Sequence, residues 1–291
     1  MANGTETVLV TSANGRTGRA ILGALAARGT RARAFIRAPR QADALMRLGA
    51  AECATGDLRD PTSLLAASAG CACVVHVGPP MHVEEVAMTQ HVIVAAQQAG
   101  VSRFVYYSVL RPAMRGVHHH ERKLDAERIL VESGLAFTIV QPARYMQHLE
   151  AIWARVKADG EHAMPFGVES RFSVADLMDL AEASARVATE PGHTYATYEL
   201  AGPQALSQRD MAAIIGERLG RPVVPRQVPL DELAATARRG GADEARVANM
   251  LAMNAHYDRY GFVGNPNVLG WLLQRAPTDF GSYVDRLIAS A

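Results

Sequence analysis

The sequence predicts an α/β fold, a doubly wound parallel sheet followed by a smaller, mostly helical C-terminal region. Three observations carry that reading. Strand-like and helix-like segments alternate from Val8 to about Pro142, a glycine-rich turn stands directly behind the first apolar run, and the strict alternation fades beyond Pro142. The first run is Val8-Leu9-Val10. The turn Thr11-Ser12-Ala13-Asn14-Gly15-Arg16-Thr17-Gly18 follows it, and an amphipathic stretch opens at Arg19-Ala20-Ile21-Leu22.

The remaining elements follow in order. Arg31 to Arg37 reads as the second strand, Ala42 to Leu48 as a helical stretch, and a short strand ends at Ala54 before the turn Gly56-Asp57. Cys71 to Val77 reads as a strand closed by Gly78-Pro79-Pro80, and a long helical pattern covers Val83 to Ala99. Arg103 to Ser108 is strand-like, Arg122 to Ser133 helix-like, and Phe137 to Val140 closes the series. Further on, Asp176 to Thr189 reads as a helix and Thr197 to Leu200 as a short strand. Ser207-Gln208-Arg209-Asp210 has the residues of an N-terminal cap for a helix over Met211 to Leu219. Gly240-Gly241 and the Gly261 to Asn267 stretch are turns, and no internal repeat is evident.

The glycine-rich turn has the chemistry of a dinucleotide phosphate cradle. Glycines let the backbone approach a pyrophosphate, and the N–H groups of the following helix's first turn, backed by its dipole, receive the charge. Ser12, Asn14, Gly15, Arg16, Thr17 and Gly18 are the candidate contacts, with Ser12 standing where the first of the usual three glycines would be. About 20 residues past such a loop a NAD site carries an acid for the ribose hydroxyls. Here Arg37 and Arg40 stand instead, and guanidinium groups suit the 2′-phosphate of NADP through charge-assisted hydrogen bonds. The expected cofactor is NADPH/NADP; the competing account makes these arginines ordinary surface charges. The expected division is a Rossmann-like nucleotide-binding domain over 1–142, with about 171–201 packing back onto it, and a mainly substrate-binding lid over 143–291.

Composition narrows the function classes. The 291 residues are 49% hydrophobic, enough for a sizeable core, and the net charge of +1 with no Lys/Arg block gives no field for nucleic acid or a membrane surface. Cys53, Cys71 and Cys73 are odd in number and lack a C-x-x-C spacing, which favours neither a disulfide framework nor a zinc site. The N-terminal Met1 to Glu6 has no basic and apolar leader pattern, and no apolar run approaches the roughly 20 residues that span a bilayer. A cytoplasmic protein acting on a small molecule is expected; the oligomeric state is not legible.

One constellation suits proton-coupled chemistry. His119 and Lys123 are four apart at the start of the predicted Arg122 to Ser133 helix, and Ser108 ends the preceding strand. Ser108 would orient a carbonyl, His119 exchange a proton, and Lys123 anchor a nicotinamide ribose. Lys123 is one of only two lysines in the chain, the other being Lys157. The alternatives are a polar strand end for Ser108 and a helix-entry role for His119 or His120, either of which could face inward. His118-His119-His120 also admits a metal trio, but three consecutive residues converge poorly on one ion, and no metal is expected. Tyr145 and Met146, beyond Gln141-Pro142-Ala143-Arg144, are substrate-pocket candidates or core.

Together these residues resemble the NmrA-like group of atypical short-chain dehydrogenases/reductases. The resemblance runs through the Ser12 to Gly18 loop, Arg37, Gly56-Asp57-Leu58, Pro79-Pro80, Tyr106-Tyr107-Ser108, His120, Lys123 with Glu127, and Ser133 to Pro142. It continues in Tyr198 to Pro203 and Leu272 to Pro277. It implies an NADP site with Asp57 and Leu58 near the adenine, and with Gly78, Pro79 and Pro142 among the cofactor contacts. Pro80, His120, Tyr145 and Met146 would then line the substrate pocket. Members of the group reduce quinones, phenylpropanoid double bonds and triphenylmethane dyes, and others bind NADP as redox reporters that regulate a partner protein. Four residues before the lysine, ordinary short-chain dehydrogenases carry Tyr; here it is His119, which favours reduction of a conjugated or cationic acceptor over alcohol dehydrogenation.

Overall fold

The computed structural model describes residues 6–290; Met1 to Thr5, part of the N-terminal stretch read above for targeting, lie outside them. Seven strands form the main sheet: Thr7–Val10 (β1), Arg31–Ile36 (β2), Glu52–Thr55 (β3), Cys71–Val77 (β4), Arg103–Tyr107 (β5), Phe137–Pro142 (β6) and Ala196–Leu200 (β9). The short Glu161–Met164 (β7) and Phe172–Ser173 (β8) lie outside this sheet. The strand order is β3-β2-β1-β4-β5-β6-β9, and the pairings along β3-β2-β1-β4-β5-β6 are all parallel. Order reverses between β1 and β4, so their carboxyl ends flank the crevice where such sheets bind ligands. The Rossmann-like α/β architecture is therefore present.

The sequence explains the layers. β1 and β4 are near-continuous apolar runs, with Leu9, Val10, Val74 and Val75 fully buried, because helices cover both faces of a parallel sheet. Helix α1 (Arg16–Ala27) buries Gly18, Ile21, Leu22 and Leu25, the i, i+3, i+4, i+7 spacing of one helical face. On one face of the sheet, α3 (Pro61–Ser68), α4 (Glu85–Gln98) and α5 (His118–Val131) contribute Leu64, Val92 and Leu130 to a core shared with Leu9, Phe104 and Ile139. Between α1 and α3 lies the short α2 (Ala42–Arg47).

Two departures from the sequence expectation have a clear local cause. α5 begins at His118 rather than Arg122, because the Glu121 carboxylate accepts the Gly116 N–H at 2.9 Å and pairs with His118 Nδ1 at 3.0 Å, fastening an extra turn. The unanticipated α3 starts at an Asp60 cap that accepts Thr62 N–H at 3.0 Å and Ser63 N–H at 3.3 Å, with Pro61 at the first helical position.

The chain divides into two compact, interleaved units. One comprises the chain up to Pro112 with Arg122–Gln141 and Leu180–Tyr198; the other comprises Ala113–Glu121, Pro142–Asp179 and the chain from Glu199 onward. In the second unit β7 pairs in parallel with β11 (Val224–Gln227), and β8 pairs with β10 (Ala205–Leu206). Helix α8 (Gln208–Leu219) opens with a reciprocal Ser207–Asp210 capping box. Buried Asp176 accepts Gln147 Nε2 at 2.6 Å and Arg286 Nη2 at 2.5 Å, and so holds the C-terminal helix Phe280–Ala289.

Candidate functional site

The loop after β1 is fastened from several sides. Thr11 Oγ1 donates to Val77 O at 3.1 Å and accepts from Val77 N at 2.9 Å, tying β1 to the end of β4. Ala13 N–H reaches Phe35 O of β2 at 3.3 Å. Ser12 adopts φ 47°, the left-handed conformation for which glycine is the usual choice, and its carbonyl accepts Gly15 N–H at 2.9 Å. A Cβ on Gly15 would stand 3.2 Å from Ser12 O; on Gly18 it would stand 2.6 Å from that oxygen and 2.7 Å from Ala13 Cα. Gly18 is thus the position that lets helix and loop pack. Gly15 caps α1 without a side-chain hydrogen bond, and the first turn holds no acid, leaving the helix's positive end for an anion. Arg19 binds Asn14 through Nη2 to Oδ1 at 2.6 Å and Nε to O at 3.1 Å, a brace the sequence reading missed.

An open cleft of about 360 Å³ lies beside this loop, within the first unit. Ser12, Asn14 and Gly15 form its floor, Arg37 stands at the end of β2, Asp57 and Leu58 follow β3, and Pro79 and Pro80 follow β4. These eight were singled out from the sequence. Phe35, Ile36, Gln41, Arg59, His82 and Met88 also line the cleft and were not. Gln41 Oε1 accepts the Arg37 and Ala38 N–H groups, each at 3.2 Å, and fixes the turn that presents Arg37. Arg59 pairs with Glu84 at 2.7 Å and so has a partner, whereas Arg37 is exposed on the cleft edge. Asp57 Oδ1 accepts Arg59 N–H at 2.8 Å.

Arg16, Thr17 and Gly18 belong to the first turn of α1 rather than the cleft wall. Gly78 is placed against Glu85, whose Oε1 would lie 2.8 Å from a Cβ there; its small size serves that carboxylate. Lys123 is directed inward, with Nζ 2.5 Å from Glu85 Oε1 and donating to Tyr107 O at 2.9 Å, over the Tyr106 ring at 5.0 Å. Its side chain is 7% exposed, and the ribose-anchoring role expected of it would require it to share its donors with Glu85. Ser108 is buried at the end of β5 near Glu127, and the Glu127 carboxylate accepts Gln141 Nε2 at 2.9 Å. Burial pushes the Glu127 carboxyl above its ordinary range, against the opposing pull of Ser108, Gln141 and Lys123. A second buried string joins Thr11 Oγ1, His76 (2.8 Å) and Thr89 Oγ1 (3.1 Å).

The other candidates belong to the second unit. His120 is fully buried, its Nε2 2.7 Å from Tyr257 Oη and its ring edge-on to Phe262; the His119 ring meets it edge-on at 5.8 Å. Tyr145 stacks on His148, while Met146 is 2% exposed and part of that unit's core. Pro142, the last residue of β6, is buried and does not line the first unit's cleft. Among the described residues no group of three or more His, Cys, Asp or Glu is arranged to hold a metal, and no helix is long and apolar enough to cross a membrane.

The sheet order, the loop at the switch point and the uncapped α1 define the Rossmann-like class of nucleotide-binding folds. Within it, the chain belongs to the NmrA-like family, whose sequence profile matches residues 4–281. It is similar to an NAD(P)H azoreductase of Xenophilus azovorans, 37% identical over 171 residues; the match spans 58% of this chain and 59% of that relative's length. It is also similar to quinone oxidoreductase 2 of Escherichia coli (strain K12), 26% identical over 249 residues, covering 84% of this chain and 85% of the relative. The crystal structure of an NADPH-dependent quinone oxidoreductase complexed with NADPH from Escherichia coli superposes with a TM-score of 0.85 at 23% identity, over 97% of this chain and 99% of the other.

Proposed function

We propose that this protein is an NADPH-dependent reductase of a small conjugated organic substrate of the quinone or azo type. The observation that carries the reading is the cleft that joins the loop of Ser12, Asn14 and Gly15 to an exposed Arg37 at the β2 end. The residues fit the cofactor: the glycine positions are those where a side chain would crowd the loop, the uncapped helix end favours a pyrophosphate, and a cation occupies the 2′-phosphate station. Relatives named as an azoreductase and a quinone oxidoreductase support the substrate class.

Ser12, Asn14 and Gly15 would hold the pyrophosphate, with Asn14 braced by Arg19. Arg37 would pair with the 2′-phosphate, Asp57 and Leu58 would border the adenine, and Pro79 and Pro80 would shape the nicotinamide end. When bound, the cofactor supplies the hydride. Lys123, held by Glu85 and the Tyr107 carbonyl, keeps the ends of β5 and α4 in register, so we assign it a positioning role beside the ribose-binding one. Ser108 would orient a substrate carbonyl, with the Glu127 carboxyl near it. The free thiols of Cys53, Cys71 and Cys73 suit a reducing, cytoplasmic setting.

The test is steady-state NADPH consumption against quinones, enones, azo dyes and triphenylmethane dyes, with the reduced products identified. Acceptor-dependent turnover with NADPH well above that with NADH supports the reading. Intact cofactor binding with no turnover on any acceptor would replace it with NADP(H) sensing.

A further inference from the structure

Within the first unit, two segments that line the cleft are tied to one another. β3 and β4 are separated in the sheet by β2 and β1, about 14 Å at roughly 4.8 Å for each of three strand spacings. The chain leaving β3 and the chain leaving β4 nevertheless come together, where Arg59 Nη2 stands 2.7 Å from Glu84 Oε2 and Arg59 Nε donates to the same oxygen at 2.8 Å. Arg59 and His82 both line the cleft. Glu84 N–H donates to His82 Nδ1 at 3.1 Å, and His82 Nε2 lies 3.2 Å from Arg59 Nη2. A neutral imidazole accepts at only one nitrogen, so the firm link to Arg59 is the Glu84 carboxylate.

The two sides of this tie differ in firmness. On the β3 side, Asp57 N–H reaches Ser63 Oγ of α3 at 3.2 Å, Asp57 Oδ1 accepts Arg59 N–H at 2.8 Å, and the Leu58 carbonyl accepts from His91 Nδ1 of α4 at 3.1 Å. The β4 side has little of this. No residue from Gly78 to Glu84 is buried, and Pro79 and Pro80 bring no N–H to bind with. Met81 takes the left-handed φ of 56°, a conformation that is costly for a side chain with a Cβ and persists only where neighbouring contacts impose it. Among the described residues, the hydrogen bonds of Pro79 to Glu84 to other elements run through His82 and Glu84. A cleft wall that is exposed, strained at one residue and held by one polar cluster belongs to the low-stability end of a fold.

We propose that Arg59, Glu84 and His82 form a clamp that holds Pro79 to Glu84 in place as a wall of the cofactor cleft, and that release of this clamp sets the rate at which NADPH enters and leaves. Arg59 and Glu84 are positioning residues in this scheme: the wall they fix carries Pro79 and Pro80. The proposal rests on the NADPH part of the reading above, and it assigns the exchange step to residues outside the phosphate cradle.

The test follows NADPH fluorescence by stopped flow, with association measured on mixing and dissociation measured by displacement with excess NADP. Glu84→Gln and Arg59→Met remove the pair at side chains that are about half exposed, where substitution leaves the fold and Tm close to wild type. Each should raise both rate constants, dissociation by roughly three- to tenfold, while Kd moves less than about threefold. The two substitutions change the local charge in opposite directions, so an acceleration shared by both does not come from electrostatic steering of the nucleotide. The double variant should be no faster than the faster single one, because both act on one contact. Unchanged rate constants, effects that add in the double variant, or a rise in dissociation matched by the rise in Kd, which would make Arg59 an ordinary ligand contact, would each overturn the clamp. Wild type that binds NADPH with exchange unaltered in the variants removes the clamp alone; wild type that does not bind NADPH removes the cofactor reading and the clamp with it.

Discussion

At the residue scale, the proposed choice of NADPH over NADH turns on Arg37. It is exposed at the β2 end and held there by Gln41, and the sequence Arg37-Ala38-Pro39-Arg40 carries no acid at that strand terminus. A charge-assisted hydrogen bond contributes about 1.5 to 3 kcal/mol, so Arg37→Ala should weaken NADPH binding by roughly ten- to a hundredfold and barely alter NADH binding. Titration showing equal losses for both cofactors contradicts this. The two loop glycines should separate. Gly18→Ala forces a methyl into Ser12 O and Ala13 Cα and should reduce both stability and NADPH affinity, whereas Gly15→Ala meets one oxygen at 3.2 Å and should fold normally. Gly15→Val, with branches aimed at the pyrophosphate space, should keep a wild-type circular dichroism spectrum and lose cofactor binding; undiminished affinity would remove the phosphate-cradle account. These residues were legible because backbone approach and charge leave few residue types open. Arg19, Gln41 and Arg59 were not, since a brace or a cleft wall accepts many side chains and shows only in three dimensions.

At the element scale, α4 and α5 are joined within the first unit by the pair of Glu85 and Lys123. Glu85 is fully buried and Lys123 nearly so, and breaking such a pair leaves one charge without compensation at about 3 to 5 kcal/mol. Lys123→Met should therefore lower the urea midpoint markedly, and adding Glu85→Gln should restore part of the loss. A single variant as stable as wild type would show that the pair is dispensable. Regular elements of this unit were readable from period and strand-end residues, because burial on both faces of the sheet forces apolar runs at β1 and β4. The α5 start was misplaced because its cap is a side-chain carboxylate three residues inside the helix, a signal that competes poorly with a run of three histidines. The short β7, β8, β10 and β11 escaped notice because two to four residues carry no measurable periodicity.

At the scale of the whole molecule, acid sensitivity should come from histidines that the fold keeps neutral. Burial lowers the His76 pKa from the ordinary 6.5 to about 3, with the Lys123 charge adding to the effect; His162 in the other unit is lowered to about 4. The unfolded chain takes up these protons at higher pH than the folded one. Stability is thus full above pH 6.5 and falls as pH drops from there toward about 4. Denaturant midpoints across that window should show the decline, and His76→Gln should make it shallower; a slope unchanged by the substitution contradicts the assignment.

The same scale decides between catalysis and sensing, since both need the cleft and only one consumes its occupant. The direct measurement is a single turnover: protein loaded with one equivalent of NADPH is mixed with a quinone or azo acceptor, and nucleotide absorbance and acceptor reduction are followed together. The account predicts acceptor-dependent loss of one NADPH for each two-electron reduction, weakened in Arg37→Ala through occupancy alone and restored at saturating NADPH. Bound NADPH that persists unchanged in the presence of every acceptor would contradict it.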